Sequence, residues 1–134
     1  MMYKLSKRSK GRLKGVNPQL VTLINMALEV SPIDFGIPED GGLRSAGRQN
    51  MLFKEGVSKC DGFSDLSMHQ SGNAFDFYAY VNGSASWDKV QLGILYGVFQ
   101  TIANQMNIKI VWGGTFDSDT YNGWDMGHLE IDSV

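Results

Sequence analysis

Apolar residues first recur at helical spacing in a stretch that begins near residue 18. Asn17 and Pro18 form a typical helix start, with a side chain that can cap the helix followed by proline at its first position. Ser31-Pro32 ends the pattern, since proline disfavours a helical residue before it. The sequence therefore predicts a helix whose buried stripe consists of Leu20, Leu23, Ile24, Ala27 and Leu28.

Two further helices are predicted downstream. The shorter runs from Ser45 to Glu55, with Gly56 just past its end. The longer is predicted to begin at a Ser86 cap and to reach about Met106. Its apolar stripe consists of Leu95, Val98, Phe99, Ile102 and Met106.

Aromatic and β-branched runs predict three strands. Residues 74–81 read as one strand, and the Asn82-Gly83 pair after them is a turn signal. Residues 108–112 and 128–131 read as two more strands. Because the helices mostly come first and one long helix interrupts the strands, the predicted class is α+β. We expect a small antiparallel sheet packed against about three helices.

The chain length of 134 residues predicts a single domain that spans residues 1–134. Apolar residues make up 43% and charged residues 19%, which indicates a folded globular chain. Neither a bilayer-spanning run nor the apolar stretch of a signal peptide is recognisable in the sequence. We therefore expect synthesis in the cytoplasm, with another component releasing the protein if its substrate lies outside.

Charge is distributed unevenly along the chain. Residues 1–14 form a basic lead-in with six of the twelve cationic side chains, so residues 15–134 carry six cations against fourteen anions. Such a segment could hold the protein near a polyanion, or simply be a solvated, partly ordered lead-in. A nucleic-acid-binding protein is disfavoured, because the cations are confined to one terminus and only Tyr3 offers a stacking ring there.

The only two histidines of the chain both lie in polar, glycine-containing segments next to carboxylates. His69 is followed by Asp76 seven positions later, and His128 is preceded by Asp125. Two imidazoles and one carboxylate form a common catalytic zinc site, in which a water takes the fourth position and its pKa falls to about 7. Composition and spacing alone leave structural histidines as the alternative.

A longer pattern around the first histidine resembles a known family. Ser67, His69, Gly72, Ala74 and Asp76 fill the pattern Ser-x-His-x-x-Gly-x-Ala-x-Asp of the zinc peptidases that cut bacterial cell-wall peptides. An acidic residue three positions before a histidine is their second signature, and the order of the two motifs also agrees. The family includes L-alanyl-D-glutamate endopeptidases, D,D-carboxypeptidases and D-Ala-D-Ala dipeptidases.

The resemblance extends over nearly the whole chain. Residues 5–20 are similar to the start of the L-alanyl-D-glutamate endopeptidases of phage lysis cassettes, and residues 31–35, 42–49 and 110–114 continue the likeness. One departure is that Gly127 stands before His128 where many relatives have proline. This change is expected to alter the shape of the pocket and not the liganding groups.

The resemblance implies a role for each matching residue. His69, Asp76 and His128 would bind Zn²⁺, and Asp125 would act as general base. Arg44 would stabilise the oxyanion or hold a substrate carboxylate. Ser67 and Gln49 would contribute to substrate binding.

The predicted function is zinc-dependent hydrolysis of peptidoglycan stem peptides, with the L-Ala–D-Glu bond favoured. One alternative is a D,D-carboxypeptidase or D,D-dipeptidase acting on the same wall peptides. Another, of a different class, is a non-catalytic zinc-fold binding module. The resemblance also implies a holin-like pore for export and action at the wall or in the periplasm, with a monomer as the default state.

Overall fold

The computed structural model describes residues 2–132, and this part of the chain contains four α-helices and six strands. Residues 1, 133 and 134 of the predicted 1–134 domain lie outside it. The helices are α1 (Lys7–Arg12), α2 (Pro18–Val30), α3 (Ala46–Lys54) and α4 (Lys89–Met106). The strands are β1 (Asp34–Gly36), β2 (Ala74–Asp76), β3 (Tyr78–Val81), β4 (Ser84–Ser86), β5 (Ile110–Trp112) and β6 (His128–Ile131).

The strands form two antiparallel sheets of three strands each, in the orders β1-β3-β4 and β2-β6-β5. The predicted α+β class is confirmed, but the strands form two sheets and not the single sheet that was predicted. Helices α2 and α4 pack against each other beside the sheets. None of the helices within residues 2–132 combines the length and the apolar character needed to cross a bilayer.

Phenylalanine rings join the two sheets in the core. Phe99 of α4 makes edge-to-face contacts with Phe35 of β1 and Phe75 of β2, at centroid distances of 5.0 and 5.4 Å. Phe77, between β2 and β3, contacts the same ring at 4.9 Å. Such geometry is favourable for aromatic pairs. The long helix therefore fixes the sheets relative to each other.

The predicted start of α2 is confirmed, since Asn17 caps it and Pro18 is its first residue. The prediction of α3 is also confirmed, with Ser45 as its cap. For α4 the predicted cap was wrong. Asp88 accepts a hydrogen bond from the Gln91 amide at the helix start, while Ser86 ends strand β4.

The prediction of one strand over residues 74–81 was wrong. The stretch divides at Phe77 into β2 and β3, which belong to different sheets. The Phe77 amide donates to the Gly127 carbonyl at 2.8 Å, outside both ladders. The turn at Asn82-Gly83 is confirmed, and both residues have positive φ.

The basic lead-in is part of the fold and not a solvated extension. Leu5 and Leu13 flank α1 and are only 6% and 4% exposed. The buried Ser9 hydroxyl accepts a hydrogen bond from the Ile37 amide at 3.0 Å. The cations of this segment other than Arg12 are exposed, so the same short stretch combines a core contact with a basic outer surface.

Candidate metal centre and its cleft

Sheet β2-β6-β5 and the turn before it bring three potential metal ligands together. Asp76 is the last residue of β2, and His128 is the first residue of β6 and its register partner. His69 lies in a short 3-10 turn, Met68–Ser71, directly before β2. Asp76 follows His69 by 7 positions and His128 follows it by 59, and the fold makes the three side chains neighbours.

Gly72 allows the chain to turn from His69 into β2. It ends the 3-10 turn with a φ of 77°, a conformation that costs residues with a Cβ atom strain. A Cβ atom at this position would also lie 2.6 Å from the Gly15 carbonyl oxygen. The local backbone conformation and the close approach of Gly15 therefore explain why glycine occupies this position of the sequence motif.

The three ligand atoms form a nearly equilateral triangle. His69 Nε2, His128 Nδ1 and Asp76 Oδ1 are each 3.1 Å from the other two. In a tetrahedral zinc site with bonds of about 2.0–2.1 Å, neighbouring ligand atoms are about 3.3 Å apart. The spacing therefore fits a small tetrahedral cation.

The outer nitrogens of the two imidazoles decide where their lone pairs point. His69 Nδ1 lies 2.9 Å from the Gly42 carbonyl oxygen, which can only accept, so this nitrogen carries the proton. His128 Nε2 lies 2.8 Å from Glu130 Oε1 and donates to that carboxylate. In the neutral rings both lone pairs are then directed at the Asp76 oxygen and at each other. A cation at this point removes the repulsion between the three donors.

The electrostatics of the cluster favour positive charge. Burial opposes the charged form of His128, but the hydrogen bonds to Asp76 and Glu130 outweigh burial and raise its pKa to about 9. Burial would likewise raise the pKa of Asp76, yet the hydrogen bonds from His128 and His69 hold this pKa well below its usual range. A carboxylate that stays ionised and a pocket that attracts a cation are what a metal centre needs.

Arg44 lies behind Asp76 and holds its second oxygen. Arg44 Nη2 donates to Asp76 Oδ2 at 2.9 Å, Nε to the Asp40 carbonyl at 2.7 Å, and Nη1 to Gln49 Oε1 at 3.1 Å. The amide nitrogen of the fully buried Gln49 donates to Ser58 Oγ and the Cys60 carbonyl. Gln49 thus contacts Arg44 and not the cleft, while Arg44 orients Asp76 with Oδ1 directed at the histidines.

Asp125 lies beside the cluster without joining it. Its Oδ2 is 4.0 Å from His128 Nδ1, and the backbone between the two residues forms a turn closed by the His128 amide and the Asp125 carbonyl. Partial burial raises the pKa of Asp125, which outweighs the lowering effect of His128. The group is therefore a stronger base than an exposed aspartate.

Ser67 begins the 3-10 turn that carries His69. Its hydroxyl oxygen accepts from the His69 amide at 3.2 Å, and the Ser67 amide donates to the Gln70 side chain. This reciprocal capping fixes the turn. The hydroxyl also lines the cleft and retains its own proton for a further hydrogen bond.

Two cavities meet at the cluster and share Asp76, Trp124 and Asp125. The Arg44 cavity, of about 330 Å³, is lined by Arg44, Lys59, Ser67 and both histidines among others. The Lys89 cavity, of about 380 Å³, is lined by Trp87, Lys89, Leu92, Met126 and Gly127 among others. An extended ligand can therefore lie across the cluster with one part in each cavity.

Sequence reasoning missed two of the contacts that orient the ligands. The Gly42 carbonyl holds His69, but a backbone oxygen has no residue-type signal. For Glu130 a signal exists, because its two-residue spacing from His128 puts both side chains on one face of the strand. The direct contact of Arg44 with Asp76 was not predicted either.

Comparisons with known proteins agree with one another. Residues 1–132 match the family model described as "Phage L-alanyl-D-glutamate peptidase". The L-alanyl-D-glutamate peptidase of Escherichia phage T5 is 30% identical over 139 residues, which cover 98% of this chain and 99% of that protein. The crystal structure of the Serratia marcescens L-Ala D-Glu endopeptidase ChiX matches with a TM-score of 0.79 and 29% identity, covering 96% of this chain and 90% of that one.

Proposed function

The chain belongs to the phage L-alanyl-D-glutamate peptidase family, and on this premise we propose that it hydrolyses the L-Ala–D-Glu bond of peptidoglycan stem peptides with zinc held by His69, Asp76 and His128. The observation that carries the zinc assignment is the triangle of three electron-pair donors at 3.1 Å. Zinc bound there supplies a Lewis acid that polarises a peptide carbonyl and lowers the pKa of water to about 7.

Asp125 is proposed to move the proton. It lies close enough to the cluster to accept a proton from the attacking water and to pass it to the leaving amine. Its raised pKa brings the group closer to neutral pH, where one side chain can accept a proton in one step and donate it in the next.

Arg44 is proposed to position Asp76 and to face the substrate. A guanidinium has five N–H donors, and three of them are engaged by Asp76, Asp40 and Gln49. The two that remain, one on each Nη, are available for the oxyanion or a substrate carboxylate. Ser67 supplies a hydroxyl for substrate, and Gln49 contributes to binding through its hold on Arg44.

Replacing Asp125 tests the mechanism. Asp125→Ala is expected to keep its zinc and to lose about 10²- to 10⁴-fold in kcat on a defined muropeptide, since it removes a proton acceptor and no ligand. Zinc content by metal analysis and turnover by chromatography are the two readouts. Asp119→Ala, at an exposed loop residue, is the matched control and should retain both. Unchanged turnover of Asp125→Ala would show that the proposed base is wrong.

Product analysis tests the bond. Mass spectrometry of digested muropeptides should show cleavage after L-alanine, and fragments released at a D,D bond would contradict the proposal in favour of carboxypeptidase or dipeptidase activity. The proteins that match this chain are peptidases, so the comparisons do not support a non-catalytic binding module.

The site of action is proposed to be the cell wall, where the substrate is found. Export through a holin-like pore and a monomeric state stay predictions. Turnover should be lost with a zinc chelator and recovered when zinc is restored.

A further inference from the structure

The substrate proposed above has a charge that the cleft must accommodate. D-glutamate has two carboxyl groups, and a linear peptide continues through only one of them. The other is therefore a free carboxylate on the residue whose nitrogen is the leaving group. A carboxylate brought into a cleft is stabilised by a cation or by several hydrogen-bond donors.

We propose that Lys89 binds this free carboxylate of the D-glutamate residue. The proposal rests on the proposed function and adds a residue that recognises the substrate. Lys89 lines the cavity that shares Asp76, Trp124 and Asp125 with the Arg44 cavity. A peptide whose scissile bond lies at Asp125 therefore has Lys89 on one side of that bond.

The other two cations of the cleft already have anionic partners. Arg44 forms an ion pair with Asp76 at 2.9 Å. Lys59 Nζ lies 4.0 Å from Asp117 Oδ2 and 4.2 Å from the centroid of the Trp124 ring. Their charges are thus partly balanced before a substrate arrives.

Lys89 differs from Arg44 and Lys59 because its hydrogen-bond partner is neutral. Its Nζ donates to the neutral Asn122 side-chain oxygen at 3.0 Å, and none of the ion pairs among residues 2–132 includes it. This hydrogen bond connects the first residue of α4 with the loop whose next residue, Gly123, lines the same cavity. The ammonium group is held at the cavity while its charge remains available.

The walls of the Lys89 cavity suit the methylene groups of glutamate. Trp87 is 53% exposed, and its ring packs on Gly127, where a Cβ atom would lie 2.7 Å from a ring carbon. Leu92 and Met126 add apolar surface. The absence of a side chain at Gly127 therefore makes room for the ring that forms this wall.

Binding of the carboxylate at Lys89 also fixes the direction of the substrate. The D-glutamate side would occupy the Lys89 cavity, and the L-alanine side would occupy the Arg44 cavity. Lys89 would then determine affinity for the leaving-group side of the substrate.

The test compares two peptides that differ in one group. One has a free carboxylate on D-glutamate next to the scissile bond, and in the other this carboxylate is a carboxamide. The zinc-loaded wild type should prefer the carboxylate peptide in kcat/KM, mainly through KM. Lys89→Met should lose about tenfold on the carboxylate peptide and change little on the amide peptide, as expected for one charge-assisted hydrogen bond to a lysine that is exposed before the substrate binds.

Matched variants complete the test. Lys89→Arg should restore much of the preference, and Lys59→Met should leave the ratio between the two peptides as in the wild type. In an Asp125→Ala background, calorimetry should give the same tenfold loss in affinity for the carboxylate peptide when Lys89 becomes methionine.

The outcomes separate the two proposals. A wild-type preference that persists in Lys89→Met, or a wild type that does not distinguish the peptides, overturns the assignment of Lys89 and leaves the proposed function intact. A zinc-loaded wild type that cleaves neither peptide overturns the proposed function and this assignment with it.

Discussion

Residues around the two histidines fix the tautomer and the orientation of both imidazoles. An imidazole offers its lone pair to a metal only when its other nitrogen carries the proton, and an acceptor at that nitrogen fixes this state. Gly42 provides the acceptor for His69, and Glu130 provides it for His128. Both contacts direct lone pairs at Asp76.

Glu130 offers a test of this orientation. Glu130→Ala is expected to weaken zinc affinity about 10- to 100-fold, because His128 loses the acceptor that fixes its tautomer. Glu130→Gln should lose less, since the amide can still present an oxygen. The affinities are measured by competition with a chelator of known zinc affinity.

The control for that experiment is Glu29→Ala, at an exposed position of α2. If the two alanine variants bound zinc equally well, Glu130 would have no part in orienting the ligand.

Sequence motifs identified the three side chains that the structure brings together, because imidazoles and carboxylates are visible as residue types. The contacts that orient them were harder to predict. The acceptor for His69 is a backbone carbonyl, and Arg44 reaches Asp76 from 32 positions away. Neither contact has a local sequence pattern.

At the scale of elements, the start of α4 shows where local patterns are ambiguous. Ser86 and Asp88 are both good capping residues, and the sequence does not say which one begins the helix. The hairpin β3–β4 decides, because it takes Ser86 into β4 and leaves Asp88 to cap. The pairing of β3 with β4 thus selects between two residues that are equally good helix caps by type.

The two capping candidates differ in the stability that they should contribute. Asp88→Ala is expected to lower the free energy of unfolding by about 1 kcal/mol, the usual effect of losing a helix cap. Ser86→Ala should have a smaller effect, since its hydroxyl bonds to the Gln91 side chain and the Asp88 amide and does not cap. Urea unfolding measures both. A larger loss for Ser86→Ala would contradict the assignment.

Residues 74–81 show a second limit of local patterns. Aromatic and β-branched composition predicts extended backbone, and the backbone is extended on both sides of Phe77. The composition does not show which strands each half of the stretch pairs with. The Phe77 amide bonds to Gly127, fifty positions away, so the strand changes sheets there.

At the scale of the whole molecule, the N-terminal segment belongs to the core that supports the site. Leu5 and Leu13 are buried with the side chains of α2, and Arg12 donates to the Ile37 carbonyl at 2.9 Å. The six cations could be counted in the sequence, but the charge count does not predict the packing of the two leucines or the hydrogen bond of Arg12.

Deletion of residues 2–14 should therefore destabilise the whole domain. Losing two buried leucines costs about 3–6 kcal/mol by area alone, a large part of the stability of an ordinary domain. Removing charge without removing the leucines, as in Lys7→Gln with Lys10→Gln, should stay within about 0.5 kcal/mol. Thermal unfolding followed by circular dichroism compares the two. A deletion variant as stable as the parent would show that the segment is dispensable.

The basic outer surface of the same segment has a consequence for handling the protein. The formal net charge is -2, which suggests an anion-exchange resin at neutral pH. Lys4, Lys7, Arg8, Lys10 and Lys14 are nevertheless exposed together on one short segment. A charged resin interacts with the patch that faces it, and not with the sum over the molecule. The choice of column therefore follows from the distribution of charge. A cation exchanger at low salt suits this protein despite its negative net charge.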